Sequence, residues 1–159
     1  MKVHELYLRW LYRGQRPHWF ARMQNRVSAM LYGAGIWPKR VAALDVAGRR
    51  SGRVVTLPVV ITDLDGDRYL VSMLGERANW VRNVRADDGR GVLRHGRKEV
   101  VQLEEVPVDQ RPPILRRYLE VAPGGRPHIP VDRRAPLGEF ERVAPDIPVF
   151  SIQPLHRPS

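Results

Sequence analysis

The sequence predicts an α+β fold, a mostly antiparallel, barrel-like sheet with helices packed outside it, and three observations carry that expectation. Apolar residues recur at helical spacing through residue 31, then change to β-branched runs from residue 41. Those runs are joined by turns too short to hold a crossover helix, which disfavours a parallel doubly wound sheet. Helical segments lie between hairpins, not between single strands, and this arrangement suits a curled antiparallel sheet.

Val3, Leu6, Tyr7, Trp10 and Leu11 fall on one helical face, with Lys2, Glu5, Arg9 and Arg13 elsewhere around the wheel. Trp19, Phe20, Met23, Val27, Met30 and Leu31 repeat the pattern behind Pro17, and Gly33 and Gly35 end it. These two amphipathic helices, within 1–36, either cover the sheet or lie on a membrane surface. Val41 to Val46, Val54 to Thr62 and Arg68 to Leu74 read as strands, with Asp65-Gly66 as a tight turn between the last two. Pro58 has no N–H for a ladder, so its strand belongs at an edge or carries a bulge. Ala78 to Ala86 reads as a short helix. A second hairpin, Gly91 to Arg94 and Glu99 to Val106, turns at His95-Gly96, and a longer helix follows over Asp109 to Val121, with Pro112-Pro113 near its start. Pro123 to Pro136 reads as an ordered loop, Pro148 to Ile152 as the closing strand, and His156 to Ser159 as a frayed tail. At 159 residues the chain predicts one domain, 1–159, with the barrel over 37–155.

A net charge of +10 attracts nucleic acid, anionic lipid or a polyanionic small molecule. Apart from Lys2, Lys39 and Lys98 the positive charge is all arginine, spread along the chain and not gathered into a basic arm. No strand face is studded with aromatics to stack unpaired bases, so a nucleic-acid partner is not expected. The absence of cysteine excludes disulfides, thiolate metal sites and cysteine nucleophiles. His4, His18 and His95 lack metal-ligand spacing, and Glu104-Glu105 would point to opposite faces of a strand, so neither a metal site nor a carboxylate pair is predicted. No run approaches the roughly 18 apolar residues of a membrane span and no signal peptide is visible, so the expected location is the cytoplasm, with possible peripheral membrane contact through the N-terminal helices.

Chemistry concentrates in three places. Gly48-Arg49-Arg50-Ser51-Gly52-Arg53 sets three guanidiniums between two glycines, either an anion-binding loop or a solvated turn. Ser72 to Arg77 leaves a strand through Gly75 into a helix, with backbone amides free to bind oxygens or to cap that helix. Trp80 and Asn83 stand three apart, an indole beside an amide on one helix face.

Taken in order, the Gly48–Arg53 loop, Pro58, Asp65-Gly66-Asp67-Arg68-Tyr69, Val71-Ser72 and Trp80-Val81-Arg82-Asn83-Val84-Arg85-Ala86 resemble the deazaflavin-dependent nitroreductase family. The match is clear over about residues 40–106 and looser elsewhere. The resemblance implies a split β-barrel related to FMN-binding barrels, with coenzyme F420 as cofactor and FMN as the alternative. It implies that Arg49, Arg50 and Ser51 hold the phosphate and acidic tail, and that Val71, Ser72, Met73, Leu74, Gly75 and Arg77 lie along the deazaflavin ring. Trp80 and Asn83 would support that segment and the cofactor. The implied activity is hydride transfer to a small molecule: an activated alkene, a quinone or a nitroaromatic. No catalytic side chain is assigned, and the proton would come from water, Ser72, Tyr69 or His128. Three departures stand out. The glycine-pair and asparagine-proline insertion before the tryptophan is missing, Glu76 adds negative charge unless Arg77 pairs with it, and Pro123 to Pro130 replaces a tyrosine-rich substrate loop. A non-catalytic cofactor or lipid carrier of the same fold is the alternative function, a nucleic-acid module is a third, and monomer and homodimer both remain open.

Overall fold

The computed structural model describes residues 3–13 and 40–155; the predicted helix behind Pro17 and the tail from His156 lie outside them. The described elements are α1 (Val3–Leu11), β1 (Val41–Ala47), β2 (Val54–Val60), β3 (Thr62–Leu64), β4 (Asp67–Val71), α2 (Asn79–Ala86), β5 (Arg90–Arg94), β6 (Lys98–Glu105), α3 (Pro112–Val121), α4 (Leu137–Val143) and β7 (Val149–Pro154). The seven strands form one sheet in the order β2-β1-β5-β6-β7-β4-β3, and every pairing is antiparallel.

That order compels curvature. β2 and β3 are at opposite edges of the sheet, yet Ile61 alone separates them in sequence. Six strand spacings in a flat sheet amount to about 29 Å, whereas the step from residue 60 to 62 spans at most about 7 Å. The sheet therefore curls until its edges meet, and the predicted single strand Val54 to Thr62 is in fact one bent stretch serving both edges. Up to the bend it pairs with β1, and beyond it with β4. Pro58 is on the edge strand, as its missing N–H requires.

The barrel interior is filled by Leu44, Val46, Leu70, Leu93, Val101 and Phe150, capped by Val81 and Val84 of α2. A second apolar cluster lies where α3 and α4 pack through Leu115, Leu119, Phe140 and Val143. α1 seats Tyr7 and Leu11 against Ala47, Val54, Val92 and Val100. Two boundaries differ from the sequence expectation. β4 stops at Val71, because the Ser72 Oγ donates to the Gly75 carbonyl at 2.8 Å and Gly75 takes φ +82, so Met73 and Leu74 turn out of the sheet. α4 has no counterpart among the predicted elements; it is only seven residues long and carries Gly138, and its signal reduces to the buried pair Phe140 and Val143.

Candidate functional site

The basic loop is held in shape by its own hydrogen bonds. Gly48 N–H donates to the Arg53 carbonyl and Gly52 N–H to the Gly48 carbonyl, both at 2.8 Å, while the Ser51 Oγ accepts from Arg53 N–H at 3.1 Å. Gly52 holds φ +69, a conformation costly for any residue with a Cβ. Asn83, buried on α2, accepts at one oxygen from both the Arg49 backbone N–H (3.1 Å) and its Nη1 (2.9 Å), which fixes the loop's first arginine. Arg50 is exposed. Together these residues wall a pocket of about 360 Å³, completed by Ala86 and Asp87 of α2 and its C-terminus and by Trp10 of α1.

α1 therefore does more than cover the sheet. The Arg13 guanidinium is 4.7 Å from the centre of the Trp10 ring and donates to the Gly52 carbonyl at 3.4 Å. The helix is held from below by two phenols. Tyr7 Oη donates to Asp87 at 3.2 Å, and Tyr12 Oη donates to Asp45. Burial, reinforced by these carboxylates, pushes both phenols up from the usual tyrosine range. Asp45 is wholly buried, bonded to Thr56 Oγ1 at 2.6 Å and to Arg94 through Nε (2.6 Å) and Nη2 (3.1 Å). Asp87, the one acidic residue on the pocket among the described residues, pairs with Arg90 at 2.6 Å, which offsets its repulsion of an anion.

An apolar cleft of about 350 Å³ opens between β2 and β4. Leu57, Pro58, Val59 and Val60 of β2 line it, with Leu70 and Val71 of β4, Met73 and Leu74 just beyond that strand, Trp80 of α2, Tyr118 of α3, and Ala122, Gly124 and Gly125. Trp80 is half-buried, its ring 5.5 Å from that of Phe150. Among the described residues, no charged side chain lines the cleft. Met73 and Leu74 are 38% and 63% exposed, an apolar surface left for something to cover.

α2 joins the two pockets. Trp80 faces the apolar cleft and Asn83 the basic one, three residues apart, or about 4.5 Å along the helix axis. Arg82 is exposed. Within the segment expected along a ring, Val71, Met73 and Leu74 line the cleft, Gly75 makes the turn, Arg77 is exposed, and Ser72 is buried with its hydroxyl committed to Gly75. Neither Ser72, Tyr69 nor His128, the expected protein proton sources, lines the cleft. Arg77 does not pair with Glu76; Arg85 does, at 2.7 Å, and it also bonds Glu105 at 2.8 Å, so the Glu76 carboxyl is held below its ordinary range. Sequence reasoning misses Trp10 and Tyr118 as site residues. Trp10 looks like one more member of an amphipathic face, and Tyr118 like part of a purely structural helix. The Gly124-Gly125 pair six residues beyond Tyr118 is the available clue.

A model of the F420H(2)-dependent quinone reductase family matches residues 17–137, some three quarters of the chain. The chain belongs to that family. It is an oxidoreductase of the F420-dependent class. Among solved structures, an F420-H2 dependent reductase (FDR-A) is 18% identical with a TM-score of 0.51, the likeness covering 72% of this chain and 95% of that one. A protein of unknown function from Agrobacterium tumefaciens is 17% identical, TM-score 0.54, over 79% of this chain and 54% of that one. A chain described as a domain-swapped dimer is 15% identical, TM-score 0.52, over 87% of this chain and all of the other. These likenesses establish the fold, a curled antiparallel sheet with peripheral helices. No curated protein matches the sequence. The residues suit the family's coenzyme. An arginine loop and an uncharged, apolar cleft meet across one helix.

Proposed function

We propose that this reductase passes hydride equivalents from reduced F420 to an apolar, planar acceptor of the quinone type, seated in the cleft between β2 and β4. The observation that carries this reading is the placement of two pockets of opposite character on α2, Trp80 in one and Asn83 in the other. A ligand with an anionic tail and a flat ring system has that same division. Arg49, oriented by Asn83, and the exposed Arg50 would hold the phosphate and acidic tail, with Ser51 keeping the loop closed. Val71, Met73 and Leu74 would lie along the ring, and Trp80 would support it from α2.

When bound in its reduced form, the coenzyme supplies a hydride. The chain's own contribution is to bind and orient. Apolar walls favour a low-polarity acceptor over charged or sugar-like substrates, and they strengthen any hydrogen bond made inside. A quinone that gains a hydride still needs one proton to become a hydroquinone, and water reaching the open side of the cleft can provide it. The test is titration of the purified protein with oxidised F420 and with FMN, followed by single-turnover reduction of a quinone, a nitroaromatic and an activated alkene. Tight F420 binding with fastest reduction of the quinone supports the reading. Preference for FMN, or binding without turnover of any acceptor, overturns it.

A further inference from the structure

We infer that the Tyr118 hydroxyl is the polar anchor of the acceptor subsite, a hydrogen-bond donor that selects acceptors presenting a carbonyl or nitro oxygen at that end of the cleft. This rests on the proposed placement of the acceptor between β2 and β4. Tyr118 is only 4% exposed, and its hydroxyl makes no hydrogen bond among the described residues. The described side-chain atoms buried without a partner are Thr62 Oγ1 and His95 Nε2; the Tyr118 oxygen instead keeps a face open to the cleft, where a ligand oxygen can reach it. The neighbouring backbone is shaped around it. A Cβ on Gly125 would sit 2.5 Å from the Tyr118 oxygen, so glycine is required for the ring to occupy this position. Gly124 and Gly125 themselves line the cleft, which places the hydroxyl end of the ring at the cleft's surface. Among the described residues, only the Trp80 indole N–H and the Tyr118 hydroxyl offer strong side-chain hydrogen bonds there; everything else that lines the cleft is aliphatic, methionine, proline or glycine. Burial pushes the phenol up to about 12, so it retains its proton and donates at any physiological pH. With no protein partner among the described residues, the hydroxyl fits a ligand oxygen that accepts.

The experiment compares the intact protein with Tyr118→Phe, each with and without saturating oxidised F420. Calorimetric titration uses 2-methyl-1,4-naphthoquinone and the oxygen-free 2-methylnaphthalene as probes. Tyr118→Phe is expected to weaken the quinone by about three- to tenfold, the scale of one neutral hydrogen bond. It should leave the hydrocarbon and F420 unchanged. Thermal stability should stay level, since the hydroxyl faces the cleft and bonds no described residue; a hydroxyl with a purely structural partner would lower it. Gly125→Ala, which forces the hydroxyl out of place, should reproduce the quinone loss. Unchanged quinone affinity in both variants, or equal weakening of quinone and hydrocarbon, overturns the inference. Failure of F420 to bind while the quinone still depends on Tyr118 would sink the coenzyme reading and leave this one standing.

Discussion

The two ends of α2 solve the problem of holding a ligand in opposite ways. At the Asn83 end, the polar groups are already engaged. Asn83 is bonded to Arg49, Ser51 to Arg53, and Asp87 to Tyr7 and Arg90. At the Trp80 end the lining is almost wholly apolar; the cleft is a shape made from β2, β4, α2 and α3, and among the described residues the Tyr118 hydroxyl bonds no side chain there. The lesson is that charge must be held in place by partners before it can hold an anion at fixed geometry, whereas an apolar surface needs only to be rigid.

The comparison is broken most severely from beneath. Asp45→Ala removes one partner of a fully buried ion pair, which should cost about 3–5 kcal/mol in urea unfolding. It also removes the Tyr12–Asp45 bond at the end of α1, so F420 affinity should fall in the surviving folded protein while naphthoquinone affinity holds. Next in size, Arg50→Ala should weaken F420 by about 1.5–3 kcal/mol, the usual scale of a charge-assisted contact. Arg97, exposed in the turn between β5 and β6, serves as the control and should change little when made alanine. Fluorescence titration in physiological salt separates the two, and equal small effects would mean that the loop acts only through net charge. A smaller effect, about 1 kcal/mol, is expected at Trp10→Ala, which removes an exposed indole from the basic pocket. If this variant binds F420 as tightly as the parent, α1 is a cover and not a wall.

The smallest effect concerns a charge pair that serves neither pocket. Arg68 donates to Glu99 at 3.1 and 2.7 Å and holds its carboxyl below the ordinary range. A depressed folded value stabilises above the unfolded pKa and is lost as pH falls through the folded one, so this contribution fades as pH drops below the ordinary glutamate range. A shallower acid limb in Glu99→Gln, seen by thermal melts across pH, is the expected outcome; both groups are partly exposed and solvent screens much of the pair.

The strands are legible in the sequence because β-branched runs and short turns are local signals. Asp65-Gly66, with both residues at positive φ, marks its hairpin by residue type alone. The basic loop is legible for the same reason: its glycines and arginines are contiguous. The bend at Ile61 is not, because nothing in Val59-Val60-Ile61-Thr62 interrupts the apolar run; the bend follows from where β7 inserts between β6 and β4. Tyr118 is illegible for a different reason. A tyrosine within an amphipathic helix looks like core until its missing partner is seen, and a missing partner is a property of three-dimensional surroundings.

The position of β7 has a consequence for synthesis. The chain emerges N-terminus first, and the parts around the basic loop need only residues up to the sixth strand: α1, β1, β2, α2, β5 and β6. The β3–β4 hairpin, by contrast, has no neighbour in the sheet until β7, residues 149–154, arrives to join it to β6. One wall of the apolar cleft is therefore docked by the last strand of the sheet to be made. A nascent chain can assemble the anion-holding half while that strand is still untranslated, but the half that receives the acceptor must wait for it.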